Sequence, residues 1–440
     1  MKPRQLLRST TWLPAIFIVM LTLSDSAQAA VHKYDVLYPF QGGTDGSQPT
    51  GSLIVDASGN LYGSTAEGGS GPCQMNQQVV GCGTVFELSP PAGKNKFWTK
   101  TLLYDFQGPD GNSPSALIAD SAGNLYGVTE FGGSGQCSVY QIPGCGIVFE
   151  LSPTAGGAWT ETILYNFQGG SDGTLPFRSL VRDSAGNLYS VTMLSYQSSP
   201  GVVFELSPPA AGDGQWTESV LFSGYGDKVP IDIYANLILD AKGNLYSTSV
   251  FGGTSDAGTV FELRRPPTKD GVWTEINLYS FDSQEDNGDG PVSPVIFDSK
   301  GNLYGTLFAG GLWGEVFQLS PPRKKGGAWT ENVLYSFGGG TKGLNPFSGL
   351  IFDQNVNLYG NTFGDDGIDP VVFGTVYKLT QHSDGSWGEN LLHEFLDQPA
   401  EFPVGELVFG SKGELYGATA AGDSSAPGGV VFRISFGMDR

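Results

Sequence analysis

Carboxylates are the residues in this chain best able to do chemistry, and they recur at two fixed spacings. The first is Asp-x-x-Gly-Asn, at Asp56, Asp120, Asp183, Asp240 and Asp298. An Asp side chain can accept a hydrogen bond from the backbone two residues on, and Gly tolerates φ > 0, so this segment reads as a hairpin turn. A calcium loop needs more carboxylates at alternating positions than five residues supply. The second spacing is a Gly-x-Asp-Gly-x-x-Pro loop carrying Asp45, Asp110, Asp172 and Asp289, with Asp227 and Asp397 in looser versions and Lys342 in the sixth copy. Gly-Gly loops elsewhere in each copy often hold a Phe, at Phe131, Phe251, Phe308 and Phe363. A ring of acids beside exposed aromatics could bind a cation or a sugar. The same residues are equally explained by Asp-Gly turn chemistry and by Phe packing, and repetition in most copies suits a building rule better than one active site.

Other chemistry is scarce. His32, His382 and His393 are the only histidines, and none sits where a Ser-His-Asp constellation would need it. No G-x-S-x-G, H-E-x-x-H or phosphate-cradling loop occurs. Two carboxylates for glycoside chemistry could come from the acidic loops, but nothing singles out a pair. No cofactor or metal is implied; a structural cation on the acidic rim would fit the charge without being indicated by any ligand pattern.

Four cysteines, Cys73, Cys82, Cys137 and Cys145, fall in equivalent insertions of two neighbouring copies. They allow three connectivities, of which pairing within each insertion is the simplest in an exported protein. Metal binding is the weaker reading, since no His lies nearby. The insertions lengthen one rim asymmetrically, which makes their two copies the place where a partner surface would depart from the scaffold.

The elements that position these residues are set by Gly-Asn-Leu-Tyr and its variants. Its Leu falls at Leu61, Leu125, Leu188, Leu245, Leu303, Leu358 and Leu415, with gaps of 64, 63, 57, 58, 55 and 57 residues, so one unit of about 57 residues is copied seven times. The 65 Gly, 12% aromatic and 15% charged residues suit short strands joined by tight turns. The second copy gives the unit: strands at 115–120, 124–129 and 146–151, then an outer strand from Trp159 to Phe167. Four strands per unit, with consecutive apolar residues in stretches such as Gly83-Thr84-Val85-Phe86-Glu87-Leu88 that imply cover on both faces, predict a propeller blade. Trp98, Trp159, Trp216, Trp273, Trp329 and Trp387 open six of the outer strands.

The termini predict a closed ring. The chain after its leader starts with a lone outer strand, Tyr34 to Phe40, and ends with the other three strands of a unit. The fold class expected is therefore all-β: a seven-bladed β-propeller of four-stranded antiparallel blades, with the N-terminal strand completing the last blade. Residues 1–29 read as a signal peptide, with Lys2, Arg4 and Arg8, an apolar stretch from Leu13 to Leu23, and Ala27-Gln28-Ala29. Residues 30–440 read as a single propeller domain. Removal of residues 1–29 takes three positive charges and one negative from a formal net charge of −21, leaving −23. Such a chain repels nucleic acid and anionic lipid.

Gly-Asn-Leu-Tyr-Gly-x-Thr, then Gly-Gly, then Gly-Thr-Val-Phe-Glu-Leu resembles the GloVer tandem repeat of exported bacterial proteins with a choice of anchor, over residues 33–436. The resemblance implies an exported repeat protein and no established activity; this chain shows no anchor sequence. The expectation is a monomeric, secreted or periplasmic binding or structural module without a membrane span, its partner a glycan or another surface protein. The alternative is a carbohydrate hydrolase or lyase using rim carboxylates. An enzyme should show one asymmetric cleft in which polar residues break the repeat and an acid titrates abnormally. A binder should show an aromatic rim without such a pair.

Overall fold

The computed structural model describes residues 32–94, 96–193, 201–210, 214–224, 232–268, 271–282, 290–308, 313–339, 343–364, 373–396 and 400–437. Residues 1–29, read as a signal peptide, lie outside them, as do Asp227, Asp289, Lys342 and Asp397. Seven antiparallel sheets of four strand positions form the blades of a β-propeller. In the first blade the order from the axis outward is Ser47–Val55, Leu61–Glu67, Thr84–Ser89 and Thr99–Asp105. The next five blades repeat this sequential order, the seventh takes its outer strand from the N-terminus, and the inner strands of the second and third blades are each broken into two short pieces.

The ring closes as the termini predict. His32–Pro39 pairs with Val430–Phe436 in a register running from His32↔Phe436 to Pro39↔Val430, so the strand begins two residues earlier than the sequence suggests. Phe40 N donates to the Gly429 carbonyl at 2.9 Å and Gly428 N to the Phe40 carbonyl at 3.1 Å, continuing the seam past the strand. Arg433 adds a 2.8 Å ion pair to Asp35. At the axis the first and last blades touch backbone to backbone: a Cβ on Gly405 would lie 2.3 Å from the Gly51 carbonyl carbon, so no larger residue fits.

Apolar packing runs between blades as much as within them. The Phe that ends an outer strand meets the third-strand aromatic of the next blade edge to face, as in Phe40–Phe86, Phe106–Phe149 and Phe281–Phe317 at 5.1, 5.2 and 5.2 Å. Where the third outer strand ends in Gly224 instead, Phe222 substitutes at 6.2 Å from Phe261. The repeated Trp serves the same joints: Trp98 packs on Tyr416 and Trp273 on Tyr189, each the Tyr of the preceding blade's Leu-Tyr pair.

The Asp-x-x-Gly-Asn turns are structural. Asp56 Oδ1 accepts from the backbone of Ser58 and Asn60 at 2.8 Å each, while Oδ2 accepts from the Asn60 side chain at 2.8 Å and from Tyr62 at 3.3 Å. The seventh turn lacks the Asp, and Glu414 supplies the carboxylate to Lys412 N and Tyr416 instead. The sixth turn puts Val356 at φ 64°, where the others have Gly. A β-branched residue in that region is strained by about 1–2 kcal/mol. Val356→Gly should therefore raise the melting temperature, by about 1 kcal/mol of stability after the entropy Gly loses on folding; a lower melting temperature would refute the strain.

Candidate binding channel

The rim acids named by the sequence shape their own loops. Asp45 accepts from Gln41 N at 2.9 Å and from the Tyr38 hydroxyl at 2.6 Å, and Lys100 bridges to it at 3.1 Å. Asp110 accepts from Gln107 N at 2.7 Å and Tyr104 at 2.8 Å; Asp172 accepts from Gln168 N at 2.8 Å and Tyr165 at 3.2 Å. Phe131 is 6% exposed and packs with Ile142 and Leu175, whereas Phe251 is 44% exposed. Asp289 lies outside the described residues. These loops do share a face with the Gly-Gly loops, as Gly69 N donating to the Gly43 carbonyl at 3.0 Å shows.

Abnormal titration also follows the repeat. The outer-strand Tyr of one blade reaches the carboxylate two residues after the Trp of the next, with Tyr279 donating to Glu331 at 2.8 Å and Tyr335 to Glu389 at 2.6 Å. Burial, helped by the charge of Asp110 or Asp172, pushes Glu161 and Glu218 up to about 7. Burial also opposes ionisation of Asp120, Asp183, Asp298 and Asp353, but hydrogen bonds from the turn outweigh it and hold them below the usual range. The two groups act in opposite directions. The raised glutamates stabilise fully below their unfolded value of about 4.3 and lose that contribution as pH climbs towards 7; the lowered aspartates stabilise above about 4 and lose it in stronger acid. The melting temperature should peak near pH 4–5 and fall towards pH 8, and Glu161→Gln with Glu218→Gln should flatten the fall; equal melting at pH 5 and pH 8 would contradict the assignment.

One carboxylate and one cation do not follow the repeat, and both line the central channel, a cavity of about 430 Å³. Five residues before the turn Asp or its counterpart, the inner strands carry Gly51, Ser115, Ala235, Ser293, Ser348 and Gly405, but the third blade carries Arg178. Its guanidinium carbon lies 4.7, 5.1 and 5.8 Å from the ring centres of Phe177, Tyr234 and Phe347. Its Nε is buried without a hydrogen-bond partner, and none of the ion pairs among the described residues includes it. Burial pulls Arg178 down to about 10 against the opposing charges of Tyr234, Glu406 and Glu130. Glu130 stands where other copies have Ala66, Met193, Val250, Phe308, Phe363 and Ala420. Burial pushes it up to about 7, with Arg178 pulling the other way.

Deeper in the channel, Glu406 spans the axis. Ser52 donates to its Oε2 at 2.8 Å and Asn236, 170 residues earlier, to its Oε1 at 2.9 Å; Asn236 in turn accepts from Ser179 N at 2.9 Å. This bridge ties four blades together beneath Arg178.

Above, the mouth is built up by the insertions of the first two blades. Cys73–Cys82 and Cys137–Cys145 are disulfides, so each bond closes its own insertion. Each insertion carries a two-residue hairpin, Gln74–Met75 with Gln78–Val79 and Ser138–Val139 with Ile142–Pro143. The second hairpin turns at Tyr140, which is 78% exposed at φ 53°. A groove of about 550 Å³ runs from Tyr140 and Ile142 to Glu130, Thr50 and Gln48, which also line the channel. No helix among the described residues is long and apolar enough to cross a membrane.

A family model described as the Gloeobacter/Verrucomicrobia repeat matches residues 141–373, more than half of the chain. The chain belongs to that family. The span matched to the Gloeobacter/Verrucomicrobia repeat includes Arg178 and Asn236 but stops short of Glu130, Tyr140 and Glu406. Comparison with curated proteins gave no match. Among solved structures, the chain is similar to a putative 6-phosphogluconolactonase from Bacteroides uniformis, at 11% identity, with 83% of this chain and 98% of that one covered and a TM-score of 0.48. It is also similar to a protein of unknown function from Dyadobacter fermentans, at 12% identity, 92% and 98% coverage and a TM-score of 0.44. PhoX of Pseudomonas fluorescens, in complex with vanadate, is similar at 12% identity, 92% and 95% coverage and a TM-score of 0.44. Likeness at this level says nothing about the chemistry of the channel.

Proposed function

We propose that this chain is an exported β-propeller binding module whose ligand, a glycan, enters the channel mouth between the insertions of the first two blades. One observation carries the reading: among seven copies of one unit, the two residues that break the pattern at the channel positions compared, Glu130 and Arg178, line one cavity together with Asn236 and Glu406. A fold built by repetition departs from its rule where function requires it. Export is supported by the two disulfides and by the signal-like residues 1–29. The exposed Tyr140 at the mouth suits the apolar face of a sugar ring.

Glu130 favours a second reading, an enzyme acting on carbohydrate. An acid raised to about 7 in an asymmetric cavity meets the condition set for catalysis. The second acid of the cavity is not free: Glu406 is held by Ser52 and Asn236. Binding is therefore preferred. A glycan array run beside a polysaccharide-degradation screen separates the two. Capture without turnover, lost in a Glu130→Ala, Tyr140→Ala double variant, supports the module; full retention in that variant would place the ligand elsewhere, and release of new chain ends would establish the enzyme.

A further inference from the structure

We infer that Arg178 is a receptor for a single carboxylate, and that the ligand of the channel is an acidic sugar carrying one, a uronic acid unit. This rests on the channel being the ligand site. The first support is the state of the guanidinium. Its carbon stands over three aromatic rings, contacts that supply no acceptor for an N–H in the plane of the group. The buried Nε has no acceptor, and no described carboxylate comes within ion-pair distance of the group. A guanidinium presents its donors as a fork that matches the two oxygens of a planar carboxylate. A cation whose buried Nε donor finds no acceptor is an unfinished hydrogen-bonding site.

The second support is position. Six blades place Gly, Ala or Ser where the third has Arg178, so the scaffold closes without a side chain of this size or charge. The third is the charge around it. Glu130 and Glu406 line the same cavity, so two acids already face one cation. A phosphate dianion would add about twice the repulsion that the single charge of one carboxylate brings. Glu130, raised to about 7, is largely neutral in mild acid and can then donate a hydrogen bond to a ligand hydroxyl or carboxylate oxygen.

The rest of the cavity selects a sugar over a bare acid. Its volume of about 430 Å³ lies in the range of small-molecule pockets, and Ser179 and Tyr234 offer hydroxyls beside aromatic faces. It continues into the groove of about 550 Å³ under Tyr140, which gives room for the next units of a chain. A terminal uronate on Arg178 with its neighbours passing beneath Tyr140 uses both spaces.

The test is calorimetric titration of the mature chain with glucuronate and galacturonate, their neutral counterparts glucose and galactose, and inorganic phosphate, at pH 6 and pH 8. A uronate should bind at least about tenfold more tightly than its neutral counterpart, and Arg178→Met should erase that difference, since a charge-assisted bidentate pair is lost. Affinity should weaken from pH 6 to pH 8 in the wild type but not in Glu130→Gln. Equal binding of uronate and neutral sugar, retention of the preference in Arg178→Met, or tighter binding of phosphate than of either uronate would overturn the proposal. Capture of neutral glycans alone on the array would leave the channel reading standing and remove this one; absence of any glycan binding would remove both.

Discussion

A chain lacking residues 34–40 should not form a stable monomer. The missing strand supplies one edge of the last blade, and without it Val430–Phe436 becomes an unpaired edge whose Val430, Val431, Phe432 and Ile434 are wholly buried in the intact ring. Such an edge is a template for pairing with another copy. The loss also reaches the first blade, because Phe40 is fully buried against Phe86. Truncating a buried Phe alone costs about 3–5 kcal/mol, a large part of the roughly 5–15 kcal/mol that holds a typical fold together. The expected outcome is aggregation on size exclusion and no cooperative transition at the wild-type melting temperature. A synthetic peptide of residues 32–41 added during refolding should restore both. Phe40→Ala, which keeps the ladder, should lower the melting temperature while leaving a monomer. A soluble monomer with unchanged melting after the deletion would mean that the seam contributes nothing to closure.

The ring was legible in the sequence because each of its parts is local or repeated. Gly-Asn-Leu-Tyr gives a turn, a buried Leu and a Tyr for the joint, all within a few residues, and seven copies average away the drift of any one. Even the exceptions obey physics visible in the string: Glu414 takes over when Gly410 replaces the turn Asp, and Phe222 when Gly224 replaces the joint Phe. The channel was not legible in the same way. Glu406 meets Asn236 across 170 residues, and Arg178 is held by rings from three different blades, so no window of the sequence contains the site. Reading repeated Asp residues as the candidate site pointed to Asp45, Asp110 and Asp172, whose carboxylates order their own loops. The signal that could have found the channel is the opposite one. Aligning the seven copies on their turns leaves Arg178 alone in a column of Gly, Ala and Ser, and Glu130 alone in a column of apolar residues. In a repeat protein the shared residues build the frame, and the departures mark what the frame is for.

That distinction yields a second large effect, with a sign opposite to most substitutions in a core. Arg178→Met should make the protein more stable. In the folded chain the guanidinium is half-buried in the channel, where its Nε finds no acceptor and burial already depresses its pKa. Stacking on Phe177, Tyr234 and Phe347 offsets part of that penalty, and Met keeps the apolar contact without the charge. Replacing a poorly satisfied buried charge by an apolar residue of similar size stabilises by about 1–3 kcal/mol. Arg433 provides the contrast within the same molecule. It pairs with Asp35 at 2.8 Å across the closing seam, so Arg433→Met should destabilise, by no more than about 1 kcal/mol for a pair this accessible. Thermal melts of the two variants therefore move in opposite directions if the channel cation is held there for a ligand. Were Arg178→Met to melt below the wild type, the three rings would be its true partners, the guanidinium would be a structural plug for the axis, and the carboxylate receptor would lose its physical basis.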